Sequence, residues 1–258
     1  MNKVLAIRLG TVVGFLVVWE LVARSGLVLE QILPPATAVF ASLFTLFQSD
    51  SIWLDIYASA YEIVVGFVLG SAFGLSLGAV MGASNYLHRL FEPLIYYLGA
   101  VPKIILFPIL ILFLGTGIES KVGMAAITAF FPIIVNTALA VREVKPIYVR
   151  AARSMGATRA QLYGKVYVPA MLGPALSGMR LGLGVAITGA LLAETDVAQI
   201  GLGFRAIELY SQLRIAEMYA VILLIFIGAA VINFGIGRLI RGTTHYQQQE
   251  TRAGSSVA

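Results

Sequence analysis

The stretch GFVLGSAFGLSLGAVMG, residues 66–82, places glycine at Gly66, Gly70, Gly74, Gly78 and Gly82, four residues apart each time. In a helix surrounded by water each glycine costs about 1 kcal/mol relative to alanine, so five in one series point to a different solvent. Between helices in lipid there is little hydrophobic drive to associate, and close backbone approach through small residues takes its place. On a helix of 3.6 residues per turn a four-residue repeat drifts by about 40° per step. The groove therefore winds around its helix and suits a partner crossing at a right-handed angle. Two partners are open: a neighbouring helix of the same subunit, or a sliding or dimerising helix from outside it. Gly10/Gly14 and Gly178/Gly182 repeat the spacing elsewhere in the chain.

Composition agrees with a lipid solvent. Of 258 residues, 59% are hydrophobic and 12% charged, against about 25% charged in an ordinary soluble domain, and the mean hydropathy is +0.89. A spanning helix needs about 20 mostly apolar residues. Six segments qualify: 5–23, 57–83, 94–115, 121–141, 175–193 and 218–240. The expected fold class is all-α, a polytopic membrane protein with about six transmembrane helices in one domain, residues 1–241. The polar segment 242–258, GTTHYQQQETRAGSSVA, is expected to be a disordered tail. Lys3 and Arg8 precede the first apolar stretch as in a signal peptide, but Trp19-Glu20 interrupts the cleavage context, and the stretch is read as a span. With no cysteine, disulfides and thiolate metal sites are excluded.

Six spans put both termini on one side, and the basic residues say which. With the termini inside, the cytoplasmic segments hold Lys3, Arg8, Arg89, Arg142, Lys145, Arg150, Arg153, Arg159, Lys165, Arg180, Arg238, Arg241 and Arg252, thirteen in all. The outer segments hold four, Arg24, Lys121, Arg205 and Arg214, and Lys103 falls within the third apolar segment. That asymmetry sets the orientation. The formal charge of +5 thus reflects membrane topology and gives no reason to expect nucleic acid.

Between the fourth and fifth spans lies VREVKPIYVRAARSMGATRAQLYGKVYVPA, residues 141–170. Pro146 suits a helix start and Gly156 a helix end, Thr158 caps a second helix, and Pro169 is expected to terminate it. Two short helices joined by a tight turn result. Ala151 and Ala152 thin the surface of the first, with Met155 one turn beyond Ala151, and such a surface can seat in a partner's groove. A basic loop lying against anionic headgroups is the alternative.

This segment resembles the signature of the permease subunits of binding-protein-dependent ABC importers, which reads E-A-A, three residues, Gly, nine residues, I-x-L-P. The chain has Arg150-Ala151-Ala152, Gly156, then Val166-Tyr167-Val168-Pro169, and every interval agrees. Arg150 stands where the family carries an acid. ILPPATAVFASL at 32–43, IILFPILILFLG at 104–115, GMRLGLGVAITGALLAE at 178–194 and GLGF at 201–204 resemble further segments of the family, in the branch that imports nitrate, sulfonates, taurine, bicarbonate and small precursor or aromatic acids. The resemblance implies a type I importer fold in a bacterial inner membrane and a pathway built from two permease copies, a homodimer by expectation. It also implies two cytoplasmic ATPase subunits, an extracytoplasmic solute-binding protein, and coupling through helices at about 146–168, which ATP-driven approach of the ATPases would push. Arg150, Ala151, Ala152, Gly156, Val166, Val168 and Pro169 are the coupling residues by that implication.

The chain itself is expected to hold no cofactor and catalyse nothing. No G-x-x-x-x-G-K-[ST] occurs, so ATP would be bound by the partners. GLGFRA at 201–206 fits G-x-G-x-x-A formally, but no strand precedes it and it faces outward. His88 and His245 are isolated in sequence and read as solvated, and the acids do not cluster as metal ligands. Intramembrane charges are costly and invite functional readings. Lys103, just after Pro102 and deep in its segment, is a candidate to contact an anion in transit. Glu62 either lines the pathway, pairs with a cation or reaches the outer interface. Glu20 and Arg180 read as side chains that snorkel to an interface. The segment ATAVFASLFTLFQ is a short apolar helix expected along the membrane surface. The outer segments carry eight acids, Glu30, Asp50, Asp55, Glu119, Glu194, Asp196, Glu208 and Glu217, against four bases, read as solvated loop charge or as a rim for a basic binding protein. An ion-coupled secondary transporter, or a structural subunit of a membrane complex, is the alternative. The first would need a coupling-ion site and an internal repeat, and the second leaves the cytoplasmic helical insertion unexplained.

Overall fold

The computed structural model describes residues 2–255, with side chains described for 6–235, 237 and 238. Its helices, in chain order, are α1 (Asn2–Arg24), α2 (Ala36–Phe47), α3 (Asp50–Ala83), α4 (Asn85–Ala100), α5 (Phe107–Leu114), α6 (Ile118–Arg142), α7 (Pro146–Ser154), α8 (Arg159–Leu162), α9 (Val168–Val197), α10 (Leu202–Ser211) and α11 (Ile215–Ser255). No strand occurs among the described residues. Among the described residues, five helices are long and apolar enough to cross a membrane, or six when a bent pair is counted as one span. The chain divides into two compact units, one formed by the segment up to Ser59 with Glu194–Gly228, the other by Ala60–Ala193 with the chain from Ala229 onward.

The second unit is organised around α6. Its residues Ala125, Ala129, Ile133, Thr137 and Val141 recur every four positions and are buried, and they meet the glycine series of α3 one for one. A methyl group placed on Gly66 would lie 2.5 Å from the Ala125 Cβ, and on Gly74 2.8 Å from the Ile133 Cγ2. Placed on Gly70, Gly78 or Gly82, it would meet the carbonyl oxygens of Ala126, Ile134 and Ala138 at 2.5, 2.7 and 2.6 Å. Both series climb together, so α3 and α6 run parallel, and the partner of the winding groove is a helix of the same subunit. Helix α9 covers α6 in the opposite direction. Gly178, Gly182 and Gly189 close on Asn136, Ile133 and Thr128 in turn. Ala186 and Ala190 fill the same core with Leu183 and Ile187. The like spacing on α1 does no such work, since nothing lies within 4 Å of a methyl group added at Gly10 or Gly14.

Three elements differ from their sequence expectation. The third apolar segment, read as one span over 94–115, is broken: α4 and the turn and helix over Lys103–Leu114 bend by 94°. Val101, preceding Pro102, is extended at φ −68° and ψ 134°, as the residue before a proline prefers. Pro169 does not end the second cytoplasmic helix. Residues Tyr163–Tyr167 widen into a π turn and carry α8 directly into α9. That re-registering makes room for a ring which would otherwise crowd the carbonyl four residues back. The expected tail is helical to Ser255. Gln, Glu and Arg are good helix formers, and extension from an existing helix carries no nucleation cost. Residues 256–258 lie outside the described residues.

In the first unit, Glu20 is not a snorkelling charge. Its carboxylate accepts from the Thr37 backbone N–H (3.1 Å), the Thr37 hydroxyl (2.8 Å) and Arg24 Nε (2.6 Å), and so caps the start of α2. Trp19 Nε1 donates to the Pro34 carbonyl at 3.0 Å, and the Tyr219 hydroxyl to that of Ile32 at 3.0 Å. Together these bonds pin the loop between α1 and α2.

Candidate functional site

The elbow at 146–168 forms as its capping residues direct. Helix α7 begins with Pro146 and ends in a Schellman motif: the Gly156 N–H donates to the Arg153 carbonyl and the Ala157 N–H to that of Ala152, both at 3.0 Å. Gly156 has φ +76°, a left-handed conformation that costs other L-residues about 1–2 kcal/mol. One residue on, Thr158 and Gln161 make a reciprocal capping box, with bonds of 2.9 and 3.3 Å. Ile147, Tyr148 and Met155 are exposed, Met155 by 82%, which leaves an apolar stripe on α7. Lys145, Arg150, Arg153, Arg159 and Lys165 flank it, all exposed. Ala151 is exposed and Ala152 half-buried. Val166 lies in the π turn, half-buried, and Val168 and Pro169 open α9. Helix α8, the second arm of the elbow, is thus a continuous helical extension of α9.

The break between α4 and α5 borders a cavity of about 680 Å³ in the second unit. Its floor comes from α6 (Met124, Thr128, Phe131, Pro132, Val135, Asn136) and α9 (Val185, Thr188, Gly189, Leu192). Lys103 stands at its edge. Its ammonium donates to the Gly99 carbonyl and lies 4.8 Å from the centre of the Phe131 ring. Sequence reasoning found Lys103 but not these walls; a lone Asn136 in an apolar span was the available signal. Glu62 does not border this cavity. It is 1% exposed, buried within the protein, which removes the reading of a side chain reaching the outer interface.

A second polar cluster was missed altogether. In the first unit, Gly201 is the N-cap of α10, and the first N–H groups there are taken by side chains. Gly201 donates to Asp55 Oδ1 (2.9 Å), Leu202 to Ser59 Oγ (2.8 Å) and Gly203 to Glu194 Oε2 (2.6 Å). Arg205 Nε pairs with Asp55 Oδ2 at 2.7 Å, and Arg205 also with Glu208 at 2.8 Å. Free helix N–H groups and the positive end of the helix dipole favour carboxylates at this place. Gly201 has φ +123°, and a methyl group on it would lie 2.6 Å from the Glu194 carboxyl carbon. The signal was present: Asp55, Ser59 and Glu62 fall on one face at spacings of four and three, an acidic stripe on an apolar helix.

Much of the outer charge read as solvated is therefore structural. Asp55 and Glu194 are buried, and Lys121, 4% exposed, caps the loop before α6 by donating to the Thr116 and Gly117 carbonyls at 2.8 and 3.0 Å. Arg214 pairs with Glu217. Arg180 donates to Asn233 at 2.8 Å, tying α9 to α11. His88 is buried, not solvated, with Nε2 3.3 Å from the Glu92 carboxylate. The side chain of His245 lies outside those described.

The family model for the binding-protein-dependent transport system inner membrane component matches residues 70–242, which include the glycine series from Gly70 on, the cavity and the elbow. The chain belongs to this permease family. It is 30% identical over 249 residues to the taurine transport system permease protein TauC of Escherichia coli, covering 95% of this chain and 90% of that one. It is 31% identical over 196 residues to the putative aliphatic sulfonates transport permease protein SsuC of the same organism, covering 76% and 74%. To the nitrate import permease protein NrtB of Synechocystis it is 27% identical over 175 residues, covering 68% and 63%. Among solved structures, the inward-facing MetNI methionine ABC transporter matches with a TM-score of 0.66 at 22% identity, over 76% of this chain and 99% of that one, a likeness of fold. The permease is accordingly a membrane subunit of an ABC importer, one that works with an ATPase and a binding protein.

Proposed function

We propose that two copies of this permease form the pathway for a small anionic solute, with both termini cytoplasmic and an extracytoplasmic binding protein delivering the solute. Two cytoplasmic ATPase subunits hold and hydrolyse the ATP, and each seats the elbow of one copy. The observation that carries this reading is the unbroken helix from Arg159 to Val197: a push on α7 and α8 moves a rigid rod that is packed along α6. Such an element, biased by nucleotide at one end and by loaded binding protein at the other, couples the two thermodynamically. Taurine, aliphatic sulfonates and nitrate, the solutes in the relatives' names, all carry negative charge on oxygen, which supports an anionic cargo and a pathway role for Lys103.

Gly156→Val is expected to reduce solute-stimulated ATP hydrolysis of the assembled complex about tenfold, since about 1.4 kcal/mol of strain is a factor of ten. Gly156→Asn, which tolerates the left-handed conformation, is expected to keep most of it. Unchanged stimulation in Gly156→Val would remove the lever. Six cations in residues 141–170, against Glu143 as the one acid there, call for an acidic rim on the ATPase groove. Arg150→Glu should weaken copurification of the ATPase at low salt, and Arg150→Lys should not. Equal retention of the ATPase by both variants, at every salt concentration, would exclude a role for this charge.

A further inference from the structure

The cavity beside the α4–α5 break has a chemistry narrower than "anion". Its volume of about 680 Å³ lies in the range of small-molecule sites. Among the eighteen residues that border it, Lys103 is the one charged side chain, and no Asp or Glu is present. Among the described residues no carboxylate pairs with Lys103. An ammonium has three N–H donors; here one serves the Gly99 carbonyl, and the Phe131 ring face takes a further share of the charge. The remaining hydrogen-bonding capacity and the uncompensated positive charge call for an anionic oxygen, which an apolar setting makes costly to omit. The apolar part of the border comprises Ile95, Phe131, Val135, Val185 and Leu192 among others. A small hydrated inorganic ion would leave those walls bare.

We propose that this cavity binds an organic monoanion with an apolar body, a sulfonate or carboxylate whose head meets Lys103 and whose alkyl chain or ring lies along Phe131, Val185 and Leu192. The proposal rests on the importer reading above and specifies its solute class. Each methylene buried against the walls strengthens binding about fourfold, so affinity rises with chain length until the cavity is filled, and nitrate binds weakly.

The absence of cysteine from the chain allows a direct test. Val185→Cys puts a single thiol of this subunit in the cavity, and Tyr86→Cys an exposed control thiol outside it. The assembled complex, in nanodiscs of phosphatidylcholine alone, is treated with a sulfonatoethyl and with a trimethylammonioethyl methanethiosulfonate, and labelling of the permease is read by mass. The expected result is a sulfonate-over-ammonium rate ratio at Val185→Cys about fivefold or more above that at the control. Lys103→Met removes the excess and Lys103→Arg preserves it. Hexanesulfonate protects at lower concentration than ethanesulfonate, and nitrate and 1-hexanol protect least. A ratio equal to the control, protection by nitrate or 1-hexanol equal to hexanesulfonate, or protection obtained with phosphatidylglycerol nanodiscs but not with sulfonates would overturn the proposal, the last by making the occupant a lipid. The chain-length series needs only Val185→Cys, so it stands if Lys103→Met fails to assemble. Copurification of the ATPase and ATP-dependent turnover report on the importer reading separately.

Discussion

Gly70→Leu is expected to leave no folded permease to purify. A methyl group at this position already lies 2.5 Å from the Ala126 carbonyl oxygen and 2.8 Å from the Ala129 Cβ, and a carbonyl oxygen in a helix cannot move aside as a side-chain end can. Even Gly70→Ala must part α3 from α6 along a contact that runs from Gly66 to Gly82, about 24 Å at 1.5 Å per residue. Overpacking of this kind typically costs about 1–3 kcal/mol, so the alanine variant should be recovered in lower yield, with its melting temperature several degrees down. Gly10→Leu and Gly14→Leu have the same spacing but no neighbour within 4 Å and should match the parent. Monodisperse yield and thermal unfolding in detergent test the series. Equal losses in Gly14→Leu would mean that the spacing, and not the α3–α6 contact, carries the penalty.

The second large effect concerns Asp55. Asp55→Ala removes the acceptor of both the Gly201 N–H and Arg205 Nε in a buried place. Breaking a buried pair from one side costs about 3–5 kcal/mol, and because Glu208 still meets Arg205, which is partly exposed, the loss is expected at the lower end of that range. Asp55→Asn keeps an oxygen for Gly201 and should cost about half as much, and Ser59→Ala, which loses one neutral helix cap, about 1 kcal/mol. Arg205 and Asp55 act as a unit, so replacing both should cost less than the sum of the single losses. Thermal unfolding of these variants, with the Arg205 single replacement included, gives the ranking. A Ser59→Ala loss as large as that of Asp55→Ala would contradict the assignment of Asp55 as the centre of the cluster.

The elbow was legible because its signals are local. Pro146, Gly156, Thr158 and Gln161 each act on backbone groups within a few residues, and α7, the turn and the start of α8 follow from them directly. Pro169 misled for the same reason: a proline stops a helix only if nothing upstream re-registers the ladder, and the π turn at Tyr163–Tyr167 does so. The break at Pro102 could have been read from Gly99, Val101 and Pro102, but apolar composition alone made 94–115 appear continuous. Glu20, Asp55, Lys121 and Glu194 were assigned to water or to interfaces because a single sequence shows what a charge costs and not which groups receive it. Thr37, Gly201 and Gly203 lie 17, 146 and 9 residues from the carboxylates they meet.

Composition and periodicity by themselves determined that this is a helical membrane protein, how many apolar segments it has, and that five glycines lie along one winding groove. They did so because solvent and helix geometry act on each segment alone. Which helix fills that groove, and which three side chains clasp the start of α10, were decided only by tertiary structure. So was the company of Lys103 at the edge of an apolar cavity. Those outcomes depend on faces from distant parts of the chain meeting at van der Waals distance, and no residue carries that information singly.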